Sequence, residues 1–216
     1  MRFLPFSKPQ ATEAKIRKWY KGQIDTPLEA DKVSIIGVRG YYLDSMGKEA
    51  KNDRGIYDDA VFILGPDCFL SYNFNTDPSG YKSGRASLES PQIVTYKPGF
   101  HGYGRKSGHS AFRQASNVVV RRDGGTGNGK RVEGTSSLFV DRSNSRFWIN
   151  LHRGGYSTTS SAGCQTVPPK QWASFYNTVK MLMERFEQKT FKYYLINEPR
   201  IKDRKHGYYE DGNFTQ

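Results

Sequence analysis

The chain has 216 residues and a formal net charge of +12, with 33 Lys and Arg against 21 Asp and Glu. Hydrophobic residues make up 36% and aromatic residues 14% of it, so a packed core is within reach, and the length suits one domain with at most an appended arm. No stretch approaches the roughly 20 apolar residues that span a bilayer, and residues 1–15 do not look like a secretory signal. We therefore exclude a membrane protein and a collagen-like fibre, and expect synthesis in the cytoplasm.

The predicted elements are mostly short strands between two helices. Residues 10–21 form the first helix, since Ile16, Trp19 and Tyr20 recur near one helical face. The β-branched and aromatic content then predicts seven strands before the second helix: 33–43, 59–64, 68–74, 92–96, 117–121, 136–140 and 146–151. The second helix, 168–188, starts with prolines whose missing N–H costs little there, and it carries an apolar stripe. A last strand follows at 191–196.

This pattern predicts a mostly-β fold, sandwich or barrel-like, with an N-terminal helix and one longer helix, which is α+β by content. We divide the chain into an N-terminal helical arm over 1–32, a β-rich domain over 33–198 and a charged tail over 199–216.

The positive charge is concentrated in one region. Residues 101–146 hold nine Lys and Arg against three Asp and Glu, which is half of the net charge. This predicts a basic surface and an anionic partner such as nucleic acid, lipid or bacterial cell wall, although a basic surface with no dedicated partner stays open. The chain carries none of the usual nucleic-acid-binding motifs, so no nucleic-acid partner is expected.

Neither a phosphate loop nor a metal centre is expected. Residues 124–130, GGTGNGK, fit the start of a P-loop, but Arg131 stands where the motif needs a hydroxyl, and the next residues are strand-like. A Gly-rich hairpin loop is favoured instead. The histidines lack metal-ligand spacing, and His101 and His109 flank a GYGRKSG loop that places them in a loop or on the surface. We expect no metal and no cofactor.

The strongest chemical signal is residues 146–166, RFWINLHRGGYSTTSSAGCQT. An apolar strand delivers His152, and a small polar loop leads to Cys164. An imidazole within reach favours the thiolate that a nucleophile needs. Gly163 lets backbone and substrate approach closely, with amides around it for an oxyanion hole. The alternative is a structural cysteine beside a strand-end histidine. One disulfide with Cys68, which lies in a strand pattern, also remains open.

The order of this pair, with histidine twelve residues before cysteine, resembles the L,D-transpeptidase catalytic domain (YkuD-like) family. Papain-like hydrolases run in the opposite order, and sortases have a much longer gap. The match rests on His152, Gly154, Ser161, Gly163 and Cys164 and covers about residues 55–170. It implies that Cys164 is the nucleophile and His152 the base, with Gly163, Ser161 and Gly154 in oxyanion or orienting roles.

The sequence departs from that family around the cysteine. The family usually reads S-H-G-C followed by an aliphatic residue and an arginine that helps to hold a substrate carboxylate. Here Ala162 replaces the histidine, and Gln165 and Thr166 follow the cysteine. Another cation must then bind the carboxylate. The expected substrate-binding residues are Arg153, Arg113 and Tyr156.

The resemblance implies an enzyme that acts on peptidoglycan stem peptides through a cysteine thioester. Segments 56–63, 72–79 and 149–166 are also similar to small proteins of tailed phages. We therefore predict a divergent, phage-encoded, monomeric hydrolase of the endolysin type, bacteriolytic, that lacks a signal peptide and acts at the cell wall after release. The alternatives are an L,D-transpeptidase that cross-links or exchanges stem peptides, and a non-catalytic cell-wall or nucleic-acid-binding phage protein.

Overall fold

The computed structural model describes residues 2–47, 54–82, 84–123, 137–141 and 148–201. Within them, strands outnumber helices, which confirms the mostly-β prediction. The elements in chain order are α1 (Glu13–Lys21), β1 (Ser34–Arg39), β2 (Asp59–Gly65), β3 (Cys68–Phe74), β4 (Ala86–Leu88), β5 (Gln92–His101), β6 (His109–Gln114), β7 (Val118–Arg122), β8 (Ser137–Asp141), β9 (Leu151–Arg153), β10 (Gln165–Val167), α2 (Pro169–Arg185) and β11 (Phe191–Asn197). Neither helix is long and apolar enough to cross a bilayer over the part of the chain that the structure describes.

The two helices begin where the sequence provides a start. The Thr12 hydroxyl accepts a hydrogen bond from the backbone N–H of Lys15 at 3.3 Å, which caps α1. Helix α2 starts at Pro169, whose fixed φ suits the first helical position. Each helix then buries one face. The buried residues are Ile16 and Tyr20 of α1, and Trp172, Phe175, Val179, Leu182 and Met183 of α2.

The main sheet has eight strands in the order β10-β9-β6-β5-β11-β1-β2-β3 and is nearly closed into a barrel. Its first and last strands meet where Asn75 and Thr166 exchange two backbone hydrogen bonds of 2.9 Å. Pairing is antiparallel except between β1 and β11 and between β9 and β10. A second sheet, in the order β4-β7-β8, has three strands.

The central strands are buried on both faces. All six residues of β1 are buried, and alternate ones belong to different apolar clusters. Ile35 faces the cluster that α2 covers, and Ile36 faces the cluster that α1 covers. The strand therefore reads as a continuous apolar run rather than an alternating one.

Several strand predictions were incomplete. Strands β4, β6 and β10 were not predicted, and β5 continues to His101 where the sequence pattern suggested an end at residue 96. Strand β5 pairs with β11 only over Gln92–Tyr96, so Pro98 contributes to the sheet through its β6 edge. The strand expected at 146–151 is instead the short β9, in which His152 is the middle residue.

Candidate functional site

The candidate site lies at the seam of the barrel. Strands β9 and β10 run parallel, with Thr166 in register with His152, and residues 154–164 connect them. Because β10 runs parallel to β9, the chain must return to the end of the sheet where β9 begins before β10 can start. Cys164, directly before β10, therefore lies beside the strand that carries His152. This pairing explains why a twelve-residue separation places the two side chains together.

His152 is buried and oriented as a proton acceptor. Its Nδ1 lies 2.7 Å from the backbone oxygen of Arg153, and since a carbonyl only accepts, Nδ1 donates. Nε2 then carries the lone pair, and it is buried with no partner among the described residues. Burial, followed by the neighbouring His101, lowers the pKa of His152 to about 3. The ring is therefore neutral at physiological pH.

Cys164 lies next to His152 but is not ionised by it. A ring nitrogen of His152 and the Cys164 sulfur lie within 4.8 Å of each other. The thiol donates instead to the backbone oxygen of Trp148 at 3.4 Å. Burial raises the pKa of the Cys164 thiol to about 11. The expectation that the imidazole would favour a thiolate at rest is wrong, because the cost of charging a buried thiol dominates.

Hydrogen bonds fix the turn that presents Cys164. The Ser161 hydroxyl donates to the Cys164 carbonyl at 2.7 Å and accepts from the Gly163 amide at 3.0 Å. Gly163 has a φ of 151°, a region that favours glycine. Ser79 accepts from the Ser161 amide at 2.8 Å, and its hydroxyl also bonds that of Thr159. The amides of Ser161 and Gly163 both donate within the protein, so they are not available to an oxyanion. These two residues therefore fit the orienting role.

Gly154, the third residue predicted to orient the site, begins the loop. Its amide donates to the Val167 carbonyl at 2.9 Å. A side chain at Gly154 would meet the Tyr57 hydroxyl, because an ideal Cβ there lies 2.1 Å from that oxygen. The same hydroxyl donates to the Gly155 carbonyl at 3.0 Å. Glycine at 154 thus lets Tyr57 tie the start of the loop to the barrel.

Gln165 anchors the other side of the cysteine. It is fully buried, and its Nε2 donates to the carbonyl oxygens of Thr76 and Gly163 at 3.1 and 3.3 Å. Its Oε1 accepts from the Tyr193 hydroxyl at 2.8 Å. In the sequence, Gln165 was notable only as a departure from a family pattern. In the structure, its hydrogen bonds join the turn that presents Cys164 to the core.

Two histidines that the sequence placed in a loop belong to this site. His101 and His109 pair across the end of the β5–β6 hairpin, which corrects that interpretation. The His101 ring stacks on His152 with centroids 3.9 Å apart and planes 10° apart, and the His109 centroid lies 5.4 Å from that of His152. Asn150, another residue that the sequence did not single out, contacts His101 Nδ1 through Nδ2 at 3.1 Å.

The predicted substrate-binding residues differ in how firmly they are held. The Arg113 guanidinium lies 4.4 Å from the ring centroid of Trp148, the residue whose carbonyl accepts from Cys164. The Arg113 side chain also runs across Gly99. Arg153 is exposed, and Tyr156 is 77% exposed on the connecting loop. Of these three residues, Arg113 is thus the one that packing holds in place, through Trp148.

Other predicted features give a mixed outcome. Cys68 and Cys164 are both free thiols, so no disulfide joins them. The Gly-rich loop at 124–130 lies outside the described residues, as does most of the tail at 199–216. The basic region 101–146 is described only in part.

Comparison with known proteins found no match to a family model, a curated protein or a solved structure.

Proposed function

We propose that this protein is a cysteine-dependent hydrolase of peptidoglycan stem peptides. One observation carries the proposal: a buried imidazole lies within 4.8 Å of a thiol on a hydrogen-bonded turn. The Arg153 carbonyl fixes its Nδ1, and its Nε2 has no partner among the residues that the structure describes. A nucleophile, a base and a group that orients the base are the three parts of a nucleophilic catalytic site.

The chemistry follows from these positions. The Cys164 sulfur attacks a peptide carbonyl carbon, and its proton passes to Nε2 of His152. The carbon–nitrogen bond then breaks, and His152 returns that proton to the leaving amine. Water, with its proton taken by His152, attacks the resulting thioester and releases the acid and the thiol. The Arg153 carbonyl keeps the proton on Nδ1 throughout, so Nε2 is the nitrogen that gains and loses a proton.

Proton transfer accompanies attack in this scheme rather than preceding it. The pKa values of about 11 for Cys164 and about 3 for His152 make the neutral pair the resting state. The thiol must turn from the Trp148 carbonyl towards Nε2 when substrate arrives, and catalytic contacts often tighten only in the complex. The His101 ring, stacked on His152, adds to the causes that keep the imidazole neutral at rest.

Charge supports a substrate that carries carboxylates. The chain has a net charge of +12, and stem peptides present free carboxylates. Arg113, held on Trp148, offers a fixed guanidinium for bidentate binding, while the exposed Arg153 offers a second, adaptable one. The choice of peptidoglycan as the substrate rests also on the resemblance of the His152–Cys164 segment to the L,D-transpeptidase catalytic domain family.

Defined tetrapeptide muropeptides, incubated with the protein and an excess of a D-amino acid, provide the test by mass spectrometry. We expect shortened stems or a released amino acid, with little incorporation of the added one. The Cys164→Ala variant should lose this activity, whereas Cys68→Ala should keep it and serves as the control. His152→Ala should slow turnover by about 10² to 10⁴-fold.

Each remaining outcome contradicts part of the proposal. Dominant incorporation of the D-amino acid, or new dimers, would make the protein a transpeptidase. An unchanged muropeptide profile with folded wild-type protein would remove the enzymatic proposal. Full activity of Cys164→Ala would remove the nucleophile.

A further inference from the structure

Two histidines of the site share an arrangement that leaves Nε2 of each ring without a partner over the ranges that the structure describes. His152 donates from Nδ1 to the Arg153 carbonyl at 2.7 Å, and His109 donates from Nδ1 to the Ser107 carbonyl at 2.9 Å. In both rings Nε2 is buried and has no partner among the described residues. A carbonyl that fixes Nδ1–H and leaves Nε2 free is the arrangement that proteins use to orient metal-binding histidines.

His101 adopts the same arrangement once the Asn150 amide is turned over. Asn150 Nδ2 lies 3.1 Å from His101 Nδ1, while Asn150 Oδ1 is buried with no partner in the described part of the chain. The two ends of an amide are nearly isosteric, so turning it exchanges them at no steric cost. His101 Nδ1 then donates to Oδ1, which gives this oxygen its partner, and His101 Nε2 is left with a lone pair.

His101, His152 and Cys164 together offer three ligand atoms to a metal ion. One ring nitrogen of His101, one of His152 and the Cys164 sulfur lie within 4.8 Å of one another. Zinc at 2.0–2.1 Å from nitrogen and 2.3 Å from sulfur would hold such atoms about 3.3–3.6 Å apart. The ligand atoms therefore need to approach by at most about 1.5 Å. Two imidazoles and a thiolate are a ligand set that suits zinc.

The stacked rings define the movement that binding requires. With planes only 10° apart and centroids 3.9 Å apart, the in-plane lone pairs of His101 and His152 cannot meet at one ion. His152 is 2% exposed and fixed by the Arg153 carbonyl, whereas His101 is half-buried at the end of β5. His101 is the ring that turns, so metal binding breaks the stack.

We propose that His101, His152 and Cys164 bind Zn²⁺, with the fourth position left to solvent or substrate. Binding replaces the thiol proton with the metal and occupies the lone pair of His152, so the zinc form cannot perform the thiol chemistry. The binding itself is independent of the proposed hydrolase, and only the inhibition rests on it. The sequence predicted no metal because it placed His101 in a loop.

The test is a titration of chelator-treated, reduced protein with Zn²⁺ by calorimetry, and with Co²⁺ by absorbance. We expect one Zn²⁺ per chain and a Co²⁺–thiolate charge-transfer band. His101→Phe, which keeps a stacked ring, and Cys164→Ser should each weaken Zn²⁺ binding at least about tenfold, and Cys164→Ser should lose the band. Cys68→Ser, the control for the other thiol, should bind as the wild type does.

The outcomes separate the two proposals. Absence of Zn²⁺ binding by the wild type, or equal binding by Cys164→Ser, would overturn the metal site whatever the activity. Binding without any muropeptide cleavage by the metal-free protein would keep the site and remove the hydrolase. Cleavage that Zn²⁺ abolishes and a chelator restores would support both.

Discussion

Removing the Tyr193 hydroxyl from the core should loosen the turn that presents Cys164. Gln165 Oε1 accepts from the Tyr193 hydroxyl at 2.8 Å, and both residues are fully buried. Tyr193→Phe keeps the ring but leaves that acceptor without its donor. An unsatisfied buried acceptor costs about 1–3 kcal/mol of the free energy of unfolding. With a urea m-value of about 2–3 kcal/mol/M, the unfolding midpoint should fall by about 0.3–1.5 M.

The assay is urea unfolding followed by fluorescence, with Tyr72→Phe as the matched control. Tyr72 is also buried, but its hydroxyl contacts that of the exposed Ser174 at 3.1 Å. Ser174 can bond water instead, so this variant should lose less than about 1 kcal/mol. Because Gln165 also holds the Gly163 carbonyl, Tyr193→Phe should speed alkylation of the neighbouring cysteine. An equal or smaller loss for Tyr193→Phe than for Tyr72→Phe would refute the reasoning.

Three further outcomes follow. Gly154→Ala should lower the free energy of unfolding by about 1–3 kcal/mol, because its Cβ would lie 2.1 Å from the Tyr57 hydroxyl oxygen; a thermal midpoint equal to that of the wild type would contradict this. Burial raises the pKa of Glu89 to about 7, so the folded protein holds this proton more tightly than the unfolded chain does. The resulting contribution to the free energy of unfolding is complete below pH 4.5 and should be lost as the pH rises towards 7. Glu89→Gln should flatten that part of the stability curve, and an unchanged slope would count against it. In metal-free protein at pH 8, iodoacetamide should label the half-buried Cys68 before the buried Cys164, and peptide mass spectrometry that shows the reverse order would contradict the raised pKa of Cys164.

Local pattern determined the longer elements. Helix α2 has a three-four apolar stripe and prolines at its start, and the hairpin β2–β3 has apolar runs around a Gly-Pro-Asp turn, so both were predicted to within a few residues. The order of His152 and Cys164, with glycine before the cysteine, predicted that the two act as a pair, and the parallel pairing of β9 with β10 brings them together. Three-residue strands such as β4, β9 and β10 are too short to show a period, so the sequence predicted them incompletely or not at all.

Only the tertiary structure decided the electrostatics and the full membership of the site. His101 is far from His152 in sequence, and strand pairing through β5, β6 and β9 stacks the two rings. The pKa of Cys164 rises rather than falls because the barrel seam excludes water from the thiol, and exclusion of water depends on every element around it. Periodicity and turn chemistry are local and can be read along the chain, whereas burial and contacts between distant strands exist only once the chain has folded.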